Sequence, residues 1–508
     1  MLAPDYLDHA PDRLVLLFQQ VEDDILRDVA RRISKMETLS PTANWKLWRY
    51  QQTEAVRQDV IKKLARYTGK SESAIRQLMQ EAATRALEAE DRIYYHYDLE
   101  PTPFAENETL QALLNAGYQQ TAGTFSNLTA TTANTVSGQF EAALDRAHLK
   151  VSSGAFDYKS AIKSAVDSLA DTMKYVTYPT GHKDTLEVAC RRAVLTGVNQ
   201  TAGKLQEARM DEMHVGFVET SAHGGARPSH AEWQGRQFHR GGAVDYLGKH
   251  YPDFYEATAY GTGGGIYGWN CAHTHWSIFP ELGAPPTWTQ ESLDALNARD
   301  IEYDGKKYTQ YEINQMQRAR ERTVRKYKRR YLAEDAAGAD TTQSAVKLRA
   351  ARAELADFTA RTGGRVDSAR TMVSGFGRSA SSKASYLARK QERFDAANAE
   401  LQQMREAGII KSTGKLIESP PAPNELIANR DHVFQRMIER NMTLVDCDRI
   451  IESSKVALSQ WNGGQIVYYS EQGFVAVRSN GVISTLGPLD EGGKKLMEVV
   501  KKHGISHS

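Results

Sequence analysis

The stretch Gly268-Trp269-Asn270-Cys271-Ala272-His273-Thr274-His275-Trp276 sets a thiol and two imidazoles at alternate positions between two tryptophans. It follows the glycine-rich run Gly261-Thr262-Gly263-Gly264-Gly265. On an extended strand alternate side chains share a face, so Cys271, His273 and His275 could point into one pocket. His230, from a dense segment upstream, would complete a set of one thiolate and three imidazoles, which suits tetrahedral zinc. The same residues could instead be a small packed core, with Cys271 buried, the tryptophans filling space and the histidines bonded to backbone in the glycine loops. A nucleophilic pairing of Cys271 with His230 is a third possibility. It has less behind it, because no positive helix terminus or lone base is evident beside the thiol to lower its pKa.

A second constellation lies near the end of the chain. His432, Arg436 and Arg440 recur every fourth residue and so line one helix face. Beside it run the apolar Val433, Phe434, Met437 and Ile438. An imidazole can accept a 2′-hydroxyl proton while guanidiniums hold the phosphate as charge builds, so this row could support metal-independent RNA cleavage. Arg478 and the hydroxyls of Ser484 and Thr485, on neighbouring strands, would complete such a site. No second catalytic histidine is evident, and the amphipathic helix of a non-catalytic binding module explains the spacing equally well. A third feature is charge. Between Lys306 and Arg330 there are ten Lys or Arg and two acidic residues, Glu312 and Glu321. That run could touch the phosphates of a nucleic acid, or it could be a helix face paired with acidic partners. Tyr308, Tyr311, Tyr327 and Tyr331 interleave with it and could be core.

The block Arg227-x-x-His230-x-x-Trp233-x-Gly235-Arg236-x-Phe238, followed by Asn270-Cys271-x-His273, resembles the core of the Mu F-type minor head proteins of tailed phages. The opening of the chain, Pro4-Asp5-Tyr6-Leu7 and then Asp23-Asp24-Ile25-Leu26-Arg27-Asp28-Val29-Ala30-Arg31-Arg32-Ile33, is similar to phage minor capsid proteins of the minor capsid protein 2 type. The resemblance covers roughly residues 1–415. It implies a structural head morphogenesis protein, made in the bacterial cytoplasm and located in the virion, contacting the portal, other head proteins and the head interior. Ejection with the DNA would be compatible with that role. Relatives tend to carry Cys-x-Cys where this chain has Cys271-x-His273, and His273 could still ligate. The C-terminal end loosely resembles the nuclease-like toxin domains of the barnase, EndoU, colicin and RelE superfold. That likeness implies an alternative function: a carrier for a ribonuclease acting on host nucleic acid.

Positioning such groups requires elements, and the composition sets their scale. A chain of 508 residues leaves room for three to four domains. Its 64 basic and 63 acidic residues nearly cancel, so net charge selects no polyanionic partner. No apolar run reaches 18 residues, and Asp5, Asp8 and Asp12 stand where a secretory signal would be basic, so neither a membrane span nor Sec export is expected. Three distant cysteines, Cys190, Cys271 and Cys447, form no disulfide framework and suit a reducing compartment.

The patterning predicts a multidomain, mainly α protein. Residues 1–215 read as a helical portal and assembly region, with a clean three-four spacing from Leu14 to Ile33 and a second helix capped by Ser71. The Thr-rich segment 119–150 fits either a polar helix or a loop, and helical spacing returns from Asp184 to Met213. Residues 216–290 read as an inserted α+β module, with strands at Val215–Thr220 and Trp276–Phe279. A basic helical region spans 291–415, with an elbow at its glycines. A stiff Pro-rich linker follows at 416–423. The last unit, 424–508, reads as two helices and three strands, with Asn480-Gly481 as a type I′ hairpin turn. No internal repeat is evident.

Overall fold

From Asp12 onward Leu14, Phe18, Val21, Ile25, Val29 and Ile33 fall on one helical stripe, and all are essentially buried. In the computed structural model they drive α2 (Asp12–Ser34) into a core that α1 (Pro4–His9) also joins. Burying each such side chain contributes about 1.5–3 kcal/mol. The structure describes residues 2–36, 43–153, 157–178, 180–283, 285–418, 420–428, 431–454 and 456–505. The chain is multidomain and mainly α-helical, and it divides into two units, Met1–Ala380 and Ser381–Ser508.

In the first unit α3 (Ala43–His96) and α4 (Glu108–Ser152) are long, roughly 80 and 70 Å at 1.5 Å per residue. They run antiparallel. Arg49, early in α3, pairs with Glu141 and Asp145 late in α4, while Arg76 lies over the Tyr118 ring. Ser71 does not cap a new helix. It sits fully buried inside α3, in line with Val60, Leu64, Ile75 and Met79, because the buried stripe continues straight through it. The Thr-rich segment is helical throughout α4.

α5 (Tyr158–Thr172), the short hairpin β1 (Val176–Thr177) with β2 (Lys183–Asp184), and α6 (Leu186–Glu212) complete this core. A repeat does exist in the sequence. Gly117-Tyr-Gln-Gln-Thr121-Ala-Gly123 and Gly197-Val-Asn-Gln-Thr201-Ala-Gly203 lie on α4 and α6. The two copies cross reciprocally: a Cβ on Gly117 would run into Thr201, and one on Gly197 into Thr121. Each of these two threonine hydroxyls donates to the glycine carbonyl of its own helix, at 2.9 and 2.7 Å, so neither is left open at this close crossing.

The inserted module is built on an antiparallel sheet ordered β4-β3-β7, from β3 (Phe217–Thr220), β4 (Gln237–His239) and β7 (His275–Ser277). Around it lie the single turn α7 (Pro228–Ala231), the hairpin β5 (Val244–Tyr246) with β6 (Lys249–Tyr251), and α8 (Phe254–Ala257). Then come α9 (Gln290–Leu296), the hairpin β8 (Ile301–Tyr303) with β9 (Lys306–Tyr308), α10 (Gln310–Ala336), α11 (Thr342–Thr362) and α12 (Ser368–Thr371). A capping box between Thr309 and Glu312 starts α10.

The second unit takes in most of α13 (Arg378–Glu406), so the border between units falls inside the stretch 291–415. Its sheet has five antiparallel strands in chain order: β10 (Lys415–Glu418), β11 (Val456–Gln460), β12 (Gln465–Ser470), β13 (Gly473–Arg478) and β14 (Ile483–Gly487). β10 pairs with β11 within the expected linker, and the Tyr468 hydroxyl donates to the Pro421 carbonyl; Ser419 lies outside the described residues. Strand alternation splits the core. Val456, Leu458, Val467, Tyr469 and Ala476 face Phe394, Ala397 and Leu401 of α13 and the apolar side of α16 (Glu491–Lys502). Ala457, Tyr468, Val475 and Val477 face α14 (Asp431–Glu439) and α15 (Leu444–Ser453). The hairpin turn is not type I′. Gly481 has φ +82°, Asn480 is not left-handed, and the Gly481 N–H donates to the Arg478 carbonyl, which marks a three-residue loop closed by a left-handed glycine.

Candidate metal centre in the inserted module

Pro228 opens α7, where a missing N–H costs nothing, and the single turn aims His230 inward. His230 Nε2 donates to the Gly264 carbonyl at 2.8 Å, which is what the glycine run supplies. His273 Nε2 donates to Gln234 Oε1 at 3.1 Å. That oxygen also accepts the His223 backbone N–H at 3.2 Å, while Gln234 Nε2 donates to Asn297, so the amide orientation is set by its neighbours. Asn199 of α6 donates to the carbonyls of Cys271 and His273, at 2.9 and 3.3 Å, and pins the turn between them.

The inward atoms then converge. The Nδ1 atoms of His230 and His273 are 3.3 Å apart, and Cys271 Sγ lies 3.9 and 3.7 Å from them. All three side chains are at most 2 % exposed, and their candidate ligand atoms lie within 4.8 Å of one another. Burial pushes the imidazoles down, His230 to about 4 and His273 well below its ordinary value, and pushes the Cys271 thiol up. A buried thiol held protonated lacks the activation that a nucleophile needs.

His275 is not with them. Cys271 to Thr274 is irregular chain, and strand pairing begins only at His275, opposite Thr220, so alternation does not govern this segment. The His275 ring meets the Tyr267 hydroxyl at 2.5 Å and the Glu207 carboxylate of α6 at 2.8 Å. Burial alone would raise the Glu207 carboxyl, but His275, Arg240 and the Tyr255 hydroxyl outweigh it and hold it at about 2. The orienting residues Gln234 and Asn199 escaped the sequence reading. Gln234 sits inside the His230 block and could have been suspected, whereas Asn199 gives no signal on its helix.

The basic run is largely spent inside the first unit. Arg329 pairs with Glu22 and Asp23 of α2, Arg325 with Glu187 of α6, and Arg330 with Asp167, Asp171 and Glu334. Lys326 reaches Asp171, Arg320 reaches Glu354, and Lys328 donates to the Thr371 carbonyl. Burial raises Glu22 to about 7 against the pull of Arg329.

Residues 2–360 match the family model described as Phage minor capsid protein 2. The chain belongs to this phage minor capsid protein family. It is thus a structural protein of the phage head. No curated protein and no solved structure matches it. No helix among the described residues is long and apolar enough to cross a membrane.

The family match ends before α13, so the second unit of this minor capsid protein stands outside it. There the structure brings the C-terminal row onto β14. His432 Nε2 donates to the Ser484 carbonyl at 3.2 Å, Arg436 donates to the Thr485 hydroxyl, and Arg440 to the Leu486 carbonyl. Arg478 Nε donates to Ser484 Oγ at 3.2 Å. Two side chains of α14 and Arg440, just past its end, thus grip three successive strand residues, and His432 keeps Nδ1 as its acceptor nitrogen. Of the apolar face beside them, Val433 is buried while Phe434 and Ile438 are exposed.

Proposed function

We propose that this head protein acts at the portal vertex and the head interior, with the helical first unit as the part that assembles. One observation carries that reading. The end of the α3–α4 pair where Arg49 meets Asp145 also carries Leu47, Tyr50 and Leu149, all at least 59 % exposed. Apolar side chains this open at the tip of two long helices suit burial against a neighbouring head protein, and the portal is the neighbour that the likeness to Mu F-type head proteins suggests. The test is co-sedimentation of the full chain with purified portal. A Leu47→Asp, Tyr50→Asp double variant should lose binding while keeping wild-type circular dichroism. Equal binding by that variant would contradict portal docking through this end. Packaged DNA is a weaker candidate partner, because the ion pairs of Lys306–Arg330 are mostly internal.

A second activity is favoured by the convergence of His432, Arg436, Arg478 and Thr485 at β14. On this reading the second unit is a metal-independent ribonuclease, delivered by ejection with the DNA. His432 Nδ1 would accept the 2′-hydroxyl proton as the 2′-oxygen attacks phosphorus, the arginines would hold the phosphate, and the departing 5′-oxygen would take a proton from water, leaving a 2′,3′-cyclic phosphate. The full chain should then cleave RNA in the presence of EDTA, and His432→Ala should reduce turnover by about 10²–10⁴-fold. Wild-type protein that leaves RNA intact would make this unit a binding module.

A further inference from the structure

The tautomers of the buried histidine pair are fixed from outside the pair. The Gly264 carbonyl and Gln234 Oε1 are both acceptors, so Nε2 of His230 and of His273 carries the ring proton. Each neutral ring therefore turns a bare Nδ1 lone pair toward the other across 3.3 Å. The Cys271 thiol is a weak donor and can serve only one of them at a time. Lone pairs that face each other repel, and a shared cation turns that repulsion into coordination. Tetrahedral zinc, with bonds of about 2.05 Å to nitrogen and about 2.3 Å to sulfur, sets N···N at about 3.3 Å and N···S at about 3.6 Å. The observed separations are 3.3, 3.7 and 3.9 Å. Donation of the far ring N–H to a carbonyl is also the arrangement that orients a metal-bound histidine.

All three residues line one polar cavity of about 480 Å³, whose other walls include Arg318, Arg322, Arg325 and Arg370. We propose that His230 Nδ1, His273 Nδ1 and Cys271 Sγ coordinate one zinc ion whose fourth position opens onto this cavity and holds an exchangeable water or small oxyanion. Cys271 binds as the thiolate, and its proton passes to solvent. His275 takes no part, and the site is independent of the portal role.

The test is cobalt titration of the full chain after chelator stripping, followed by zinc. One cobalt per chain should bind, with a thiolate-to-cobalt charge-transfer band and tetrahedral d–d bands, and one equivalent of zinc should bleach both. Cys271→Ser should abolish the charge-transfer band. Gln234→Leu removes the acceptor that orients His273, together with the bonds to the His223 N–H and to Asn297, and should weaken cobalt about 10–100-fold in a chain that still folds, while the exposed His250→Gln should change nothing. Inorganic phosphate should shift the d–d bands of the wild type. A folded wild-type chain that takes up no cobalt, or a charge-transfer band that survives Cys271→Ser, overturns the site. Cobalt bands indifferent to phosphate and lost in His223→Ala overturn the open fourth position, since His223 stacks on His273 and would then be the missing ligand.

Discussion

Replacing Arg329 with Met should destabilise the first unit strongly at pH 8 and much less at pH 5. Arg329 lies 3.1 Å from Glu22 and 2.9 Å from Asp23, and each carboxylate is about 1 % exposed. Removing one partner of a buried pair leaves an uncompensated charge and costs about 3–5 kcal/mol. Asp23 keeps the Ser374 backbone N–H at 2.6 Å, so Glu22 bears most of the penalty. Burial already raises Glu22 to about 7, and losing the cation raises it further. A carboxyl whose folded pKa is raised contributes stability below its unfolded pKa and loses it as pH rises through the folded one. The deficit of the variant is therefore largest at pH 8 and shrinks on acidification, by about 1.4 kcal/mol for each pKa unit involved. The assay is urea unfolding at both pH values, with hydrogen exchange in α2 assigning the transition to the first unit. A deficit below about 1 kcal/mol at pH 8, the worth of a surface pair, or one that is unchanged at pH 5, would refute the reasoning. It would also return the basic run to solvent and reopen DNA as its partner.

Gly197→Val should destabilise the first unit by about 1–3 kcal/mol through overpacking at the α4–α6 crossing, and Thr121→Ala in the same chain should recover part of the loss in thermal melts. Glu207 is held at about 2, so its contribution is present above pH 4.5 and falls away as pH drops toward 2. Tryptophan fluorescence of the inserted module should report that loss, and Glu207→Gln should flatten the acid limb. Arg436→Ala should lower the urea midpoint of the second unit only slightly, since it removes one partly exposed hydrogen bond to Thr485. A collapse of that transition would show the row to be structural.

Periodicity made the helices legible, while residue type alone suggested His230 as a companion of Cys271. What it could not supply was side-chain direction in irregular chain. Strand alternation grouped His275 with Cys271 and His273, but the turn pinned by Asn199 separates them. Ser71 has the local character of a cap, yet the buried stripe of α3 overrides it. β10 and β11 were not legible because Lys415–Glu418 abuts prolines and Val456–Gln460 has few β-branched or aromatic residues; β11 becomes a strand by pairing with β12, and β10 by pairing with β11. The Gly-x-x-Gln-Thr-Ala-Gly repeat was readable but is short; its meaning comes only from the reciprocal crossing.

A component of the phage head must be found inside it. Quantitative mass spectrometry of gradient-purified proheads and mature particles, with protease added before disruption, tests that most directly. The chain should appear at low copy number alongside the portal, protected until the capsid is opened. Its absence from both proheads and mature particles would contradict the assignment.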